Sequence, residues 1–258
     1  MNKGIALGIA GATVSVAMLA AGYFAGSAPV PAAPVASQAM PRAQVETIVR
    51  DYLVANPEIL SEMQTVLAER EQEEQRLALL ETIATSSDAI FNATYDGIVG
   101  NPQGTTTIVE FFDYNCGFCK RAHEDMIQLV AGDPDLRFVL KEFPILGPDS
   151  QKAHIVSMAF RTLAPEKYEE FHHTLLMGAR ATEATAIAAA TELGVDEVAL
   201  REEMKNPAIL NAFNETYELA SQLAITGTPS YVVGEEIVFG ALGEAVLKEK
   251  VALARTRE

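Results

Sequence analysis

The sequence predicts an α/β domain preceded by a separate helical segment, and three patterns carry that expectation. Residues 105–113 (TTTIVEFFD) are rich in β-branched and aromatic side chains, as a buried strand is, and Tyr114-Asn115 turn the chain into helical spacing through Ala122, Met126 and Leu129. Two further strand-like runs, residues 137–143 (RFVLKEF) and Tyr231-Val232-Val233, are separated by a succession of helical patterns from about residue 150 to 223. Upstream, residues 42–84 show helical apolar spacing.

At the N-terminal end, one lysine precedes an apolar and small-residue stretch from Gly4 to Gly26, and a Pro/Ala linker fills residues 27–41. This is the pattern of an export signal. The stretch approaches the roughly 20 residues that span a bilayer. Pro29 spoils cleavage after Ala28, while Ser37-Gln38-Ala39 offers another site. Residues 1–41 are therefore read as a signal peptide or a membrane anchor, plus linker, and either places the rest of the chain in an oxidising compartment.

Residues 42–55 put Val45, Ile48, Val49, Tyr52 and Leu53 on one helical stripe. Asn56-Pro57 is expected to cap a second helix, whose Ile59, Leu60, Met63, Val66 and Leu67 make another stripe. The stripe stops at residues 69–76 (EREQEEQR) and resumes at Leu77, Leu80 and Ile83. The charged middle argues against a continuous coiled coil and also reads as a solvated, flexible arm. The amphipathic pair has two ways to bury its stripes, against the following domain or against copies of itself.

The chain has two cysteines, Cys116 and Cys119, within Cys116-Gly117-Phe118-Cys119. A structural cross-link stabilises more when it closes a longer loop, so a pair three apart is better suited to being traded than kept. Cys116 opens the predicted helix, where unpaired N–H groups and the positive end of the helix dipole favour the thiolate. It is read as the nucleophile, and Cys119, one turn in and more buried, as the resolving thiol. The competing readings are a buried staple or half of a zinc site, but tetrahedral zinc needs four ligands and no second CxxC or HxxxH lies nearby.

Near the other end, Ile225-Thr226-Gly227-Thr228-Pro229-Ser230 leads into the last strand pattern. A proline there removes a ladder donor and so calls for a reason; alone, it reads as an ordinary trans proline in a turn. With the CxxC at a strand-to-helix turn upstream, Gly-Thr-Pro before a strand resembles the thioredoxin superfamily. The resemblance implies that Thr228-Pro229 is cis, packs beside the active disulfide and leaves the Thr228 backbone free to pair with a substrate. It also implies that Glu110, six residues before Cys116, is a buried acid that moves a proton to and from Cys119, with its pKa raised by burial. On the residues alone, Glu110 has a bland alternative as a strand glutamate paired with Lys141.

The helical stretch at about 150–223 is punctuated by Pro165, Gly178, Gly194 and Asn206-Pro207, where Asn206 can cap and Pro207 can take the first helical position. Plain thioredoxin has no room for it. A helical insertion between the CxxC half and the proline half resembles DsbA, the bacterial periplasmic thiol oxidoreductase family, over about residues 96–258. Phe111-Phe112-Asp113-Tyr114 and Lys141-Glu142-Phe143-Pro144-Ile145-Leu146-Gly147 are most similar to the DsbA-like group that includes Com1 and ScsC proteins. The helices with Asn56-Pro57-Glu58-Ile59-Leu60 are similar to ScsC-type stalks, some of which oligomerise. The resemblance thus implies a thioredoxin fold with an inserted helical subdomain (96–258), preceded by an N-terminal helical stalk (42–95) and located in the periplasm. Substrate contacts fall on Thr228, Pro229, Gly117 and Phe118. Gly117-Phe118 replaces the Pro-His of the best-known DsbA pattern, so that enzyme's extreme oxidising power does not carry over.

Composition removes other classes. A net charge of −16 over 258 residues and a pI near 4.7 argue against nucleic-acid binding. No Gly-rich phosphate loop follows a strand. Among the histidines, His172 and His173 point different ways on one helix, His154 is isolated, and His123 rides the active-site helix with a modest electrostatic influence. The expected function is thiol:disulfide interchange, as oxidase or isomerase, on cysteine-containing exported proteins, with a membrane or thioredoxin-like redox partner. No cofactor or metal is called for, because the redox equivalents reside in the Cys116–Cys119 disulfide. The alternative is a metal-handling module that captures Cu(I) with the reduced pair.

Overall fold

The computed structural model describes residues 40–256. The expected export stretch Gly4 to Gly26 and the linker through residue 39 lie outside the described residues. Among the described residues, no helix is long and apolar enough to cross a membrane. The described residues divide into two compact units, one ending at Thr65 and the other beginning at Val66.

In the first unit, α1 (Arg42–Ala55) buries no residue, and Val45, Ile48, Val49, Tyr52 and Leu53 are all exposed. Asn56 does not cap the next helix as expected. Its backbone N–H and its side-chain amide both donate to the Tyr52 carbonyl (3.0 and 2.8 Å), so it closes α1 instead. An amide can donate to an orphan C-terminal carbonyl, and here that use prevails. The second helix, α2 (Glu58–Thr85), runs without a break through the charged stretch at 69–76. Glu, Gln and Arg are good helix formers, and Arg76 forks onto Glu73 at 2.7 and 2.8 Å. The stretch is therefore a helix rather than a flexible arm.

The second unit is built on a five-stranded sheet of order β1-β3-β2-β4-β5: β1 (Gly97–Gly100), β2 (Thr106–Phe112), β3 (Leu136–Glu142), β4 (Ser230–Val233) and β5 (Glu236–Phe239). β2 and β3 are parallel, and the other pairings are antiparallel. Side chains alternate between faces along a strand, so Ile108 and Phe112 join one core while Val109 and Phe111 join the other. This is why β2 reads as a continuous apolar run: it is covered on both sides.

The first face carries α4 (Gly117–Gly132), through Cys119, Ala122, Met126 and Leu129, and the residues of the helical insertion. That insertion comprises α5 (Pro148–Leu163), α6 (Tyr168–Met177), α7 (Glu183–Glu192), α8 (Glu197–Glu203) and α9 (Pro207–Gln222), all between β3 and β4. α9 starts as the sequence indicates, with Asn206 Oδ1 accepting from Ala208 N–H at 2.9 Å and Pro207 in the first turn. The second face is covered by Ile83 from the end of α2, Ile90 from α3 (Ser87–Phe91) and Leu219 and Leu223 near the end of α9. Residues 66–95, which the sequence groups with the stalk, thus contribute to the core of the second unit. The final helix is α10 (Glu244–Arg255).

Candidate active site

Cys116 is the N-cap residue of α4, at the point where β2 turns into the helix, and its N–H donates to the Asp113 carbonyl at 2.9 Å. Cys119 lies one turn in and is fully buried. Thr228-Pro229 is a cis peptide bond and brings the far end of the chain to the same place. As a thiol, Cys116 donates to the Thr228 carbonyl across 3.2 Å. Gly-Thr-Pro and CxxC, 112 residues apart, therefore form one centre.

The two sulfurs have opposite electrostatics. The Cys116 pKa falls to about 5, chiefly through the hydrogen bond from the Cys119 thiol, against a burial effect that raises it; the Thr228 side chain and the N–H groups of Cys119 and Phe118 lower it further. The helix N-terminus thus contributes as expected, but the partner thiol contributes more. Burial drives the Cys119 thiol far upward, and its role as donor to Cys116 and the charge of Glu110 add to this. At neutral pH the pair holds one thiolate and one thiol.

Glu110 is buried in mid-β2, and its pKa rises to about 8 through burial first and then the charges of Cys116 and Asp125. It does not pair with Lys141. Glu110 lies in register with Leu140 and Tyr231, whereas Lys141 is in register with Phe111 and so projects from the opposite face. The buried Lys141 ammonium is bonded instead to the Asp96 carboxylate and the Ala89 carbonyl.

Phe118, between the cysteines, is 56% exposed, with the Arg121 guanidinium 4.3 Å over its ring. It borders a groove of about 430 Å³ that runs along Gly227, Thr228 and Pro229 to the exposed Phe239 and Leu242. Gly117 leaves open space at the helix start, since a Cβ there would meet nothing within 4 Å.

The histidines correct the sequence reading. Burial, with His173 nearby, lowers the His123 pKa to about 4, so at neutral pH it places no charge beside the cysteines. His154 is far from isolated: its Nε2 accepts from Tyr114 N–H at 3.2 Å, and its Nδ1 rests on the Glu142 carboxylate. Asp113, Glu142, Ser150 and His154 form a buried polar cluster behind the active turn that the sequence did not reveal as a unit. The available signal was Asp113, just after β2, and Glu142, the last residue of β3, two acids at the ends of almost wholly buried strands. Among the described residues, no group of three or more His, Cys, Asp or Glu side chains is arranged to hold a metal ion.

Residues 107–252 match the family of DSBA-like thioredoxin domains. The chain belongs to that family. Residues 42–74 of this DSBA-like protein match a second family, the copper resistance protein ScsC N-terminal domain. Among solved structures, a thioredoxin-like oxidoreductase from Silicibacter pomeroyi DSS-3 is 38% identical, with 66% of this chain and 97% of that one covered at a TM-score of 0.62. The thiol-disulfide exchange protein alpha-DsbA2 from Wolbachia pipientis is 30% identical, covering 70% and 97%, with a TM-score of 0.64. Proteus mirabilis ScsC in a transitional conformation is 25% identical, covering 84% and 97%, with a TM-score of 0.62. No curated protein matches. The fold is the DSBA thioredoxin-like one, and the family is one of thiol-disulfide oxidoreductases.

Proposed function

We propose that this protein exchanges disulfides with cysteine-containing exported proteins, Cys116 acting as nucleophile and Cys119 as resolving thiol. The observation that carries the reading is the asymmetry of the pair: a thiolate at the helix N-terminus and a buried thiol that donates to it. In the oxidising direction, a substrate thiolate attacks the Cys116–Cys119 disulfide at Cys116 and expels Cys119, which takes up a proton. A second substrate thiolate then displaces Cys116, which leaves readily because its pKa is low. Glu110, protonated below a pH of about 8, supplies the proton to Cys119 and recovers it in the reverse direction. The two sulfurs carry the redox equivalents without another cofactor. Phe118, Thr228 and Pro229 seat the substrate along the groove, beside the open helix start at Gly117.

The export pattern from Gly4 to Gly26 supports a periplasmic location, with residues 4–26 either removed or kept as an inner-membrane anchor. Among the described residues, the exposed apolar stripes of α1 and of the first part of α2 support self-association into a homo-oligomer whose several active sites reshuffle wrong disulfides. A monomer with the same pair would act as a dithiol oxidase, and a membrane or thioredoxin-like partner would reset either form. Cu(I) capture by the reduced pair is the alternative, and the burial that resists ionisation of Cys119 opposes it.

Incubation of Cys119→Ser with a scrambled multi-disulfide protein tests the reading. It should accumulate a mixed disulfide through Cys116, and Cys116→Ser should accumulate none. Capture by neither variant, with no refolding by the wild type, contradicts the proposal.

A further inference from the structure

The exchange chemistry employs Cys116, Cys119, Glu110 and the groove, and it leaves the buried cluster around Asp113 without a role. The Asp113 side chain is fully buried. Its Oδ1 accepts from Asn115 N–H and from the Ser150 hydroxyl, both at 2.8 Å, and its Oδ2 accepts from Leu146 N–H at 3.0 Å. The donors come from the active turn itself, the loop after β3 and the first turn of α5. The Asp113 main chain holds the nucleophile's own backbone, its carbonyl accepting from Cys116 N–H at 2.9 Å. Behind it, Tyr114 N–H is fixed on His154, which leans on Glu142, and Glu142 also accepts from the hydroxyls of Ser157 (2.6 Å) and Tyr168 (3.1 Å).

Burying a carboxylate is costly unless donors satisfy it. The donors found here tie the turn that carries the nucleophile to the loop and helix that follow β3. We propose that Asp113 is a positioning residue that fixes residues 113–116 so that the Cys119 sulfur faces Cys116 for the resolving attack. The inference rests on the exchange reading above. It is separable from it, because attack by Cys116 and attack by Cys119 can be timed independently.

A chromogenic aryl disulfide times both steps on the reduced full chain. The Cys116 thiolate attacks it, expels one aryl thiolate and is left in a mixed disulfide. Cys119 then loses its proton and attacks the Cys116 sulfur, closing the Cys116–Cys119 bond and expelling a second aryl thiolate. Misplacement of reacting atoms by about 1 Å costs up to about a hundredfold, so Asp113→Ala should slow the second release by about tenfold or more relative to the first. Asp113→Asn keeps an oxygen for Asn115 N–H and the Ser150 hydroxyl but turns an NH2 toward Leu146 N–H, and should recover only part of that loss. Ser150→Ala removes one donor and leaves the carboxylate, and should slow the second release by about threefold, which serves if Asp113→Ala does not fold. Second release at the wild-type rate in the folded variants overturns the positioning role. A wild type that releases a single aryl thiolate instead refutes the exchange reading itself.

Discussion

Cys119 acts on its neighbour before it reacts, because its thiol is the largest contributor to the low pKa of Cys116. Removing that donor should matter more than removing the sulfur: Cys119→Ala should titrate at Cys116 well above Cys119→Ser, whose hydroxyl still donates, and absorbance of the thiolate against pH would show the difference. Glu110 makes a second prediction at this scale. Its folded pKa of about 8 lies above its ordinary 4.5, so its burial destabilises the fold increasingly as pH rises from 4.5 to 8 and not at all below that window. Glu110→Gln should therefore unfold at higher urea than the wild type at pH 9, by on the order of 4 kcal/mol, with no advantage near pH 4. An equal gain at both ends would contradict a buried, titrating acid. The cysteines were legible from their spacing, and the cis proline through the resemblance of Gly-Thr-Pro after a CxxC to the thioredoxin superfamily. The Asp113–His154 cluster was not, since its members are about 40 residues apart and meet only after the insertion packs. The Lys141 pairing failed for a simpler reason: Lys141 is one position away from the register of Glu110, and one position changes the face.

At the level of elements, long apolar or strongly periodic segments were readable, and short ones were not. β2, β3, β4 and the helical insertion fall where the spacing put them, whereas β1 and β5, of four residues each, carry too few alternations to stand out. β1 earns its place through packing. A Cβ on Gly97 would lie 2.0 Å from the ring of the buried Tyr168, so β1 can approach α6 only with glycine there. Gly97→Ala should cost about 3 kcal/mol in chemical denaturation, as overpacking does. The atoms it meets are the Tyr168 ring and hydroxyl, and that hydroxyl bonds to Glu142, so the substitution should also disturb the polar cluster behind the active turn. α2 shows the reverse difficulty, in that its polar middle interrupts the apolar period without interrupting the helix. Periodicity reports what a helix buries, and helix propensity decides whether it forms.

For the whole molecule, the open matter is what covers the exposed stripe of α1. Ile48 is 51% exposed and Tyr52 is 60% exposed. If copies of the chain meet there, replacing both with Asp should convert an oligomer to a monomer by light scattering and abolish isomerisation of a scrambled substrate while sparing dithiol oxidation. A wild type that is already monomeric would reduce the helices to a spacer. A truncation meant to test the same point should begin near Val66 and not near residue 95, since Ile83 and Ile90 belong to the core of the second unit. Every functional reading of the chain nevertheless passes through the state of one sulfur. The most direct measurement is the absorbance titration of the reduced wild-type thiols from about pH 3 to about pH 10. The account predicts a single thiolate appearing with a midpoint near 5, assigned to Cys116 by its loss in Cys116→Ser, and no second one across the range. A midpoint near the ordinary value of 9.0, or two thiols titrating together, would contradict it.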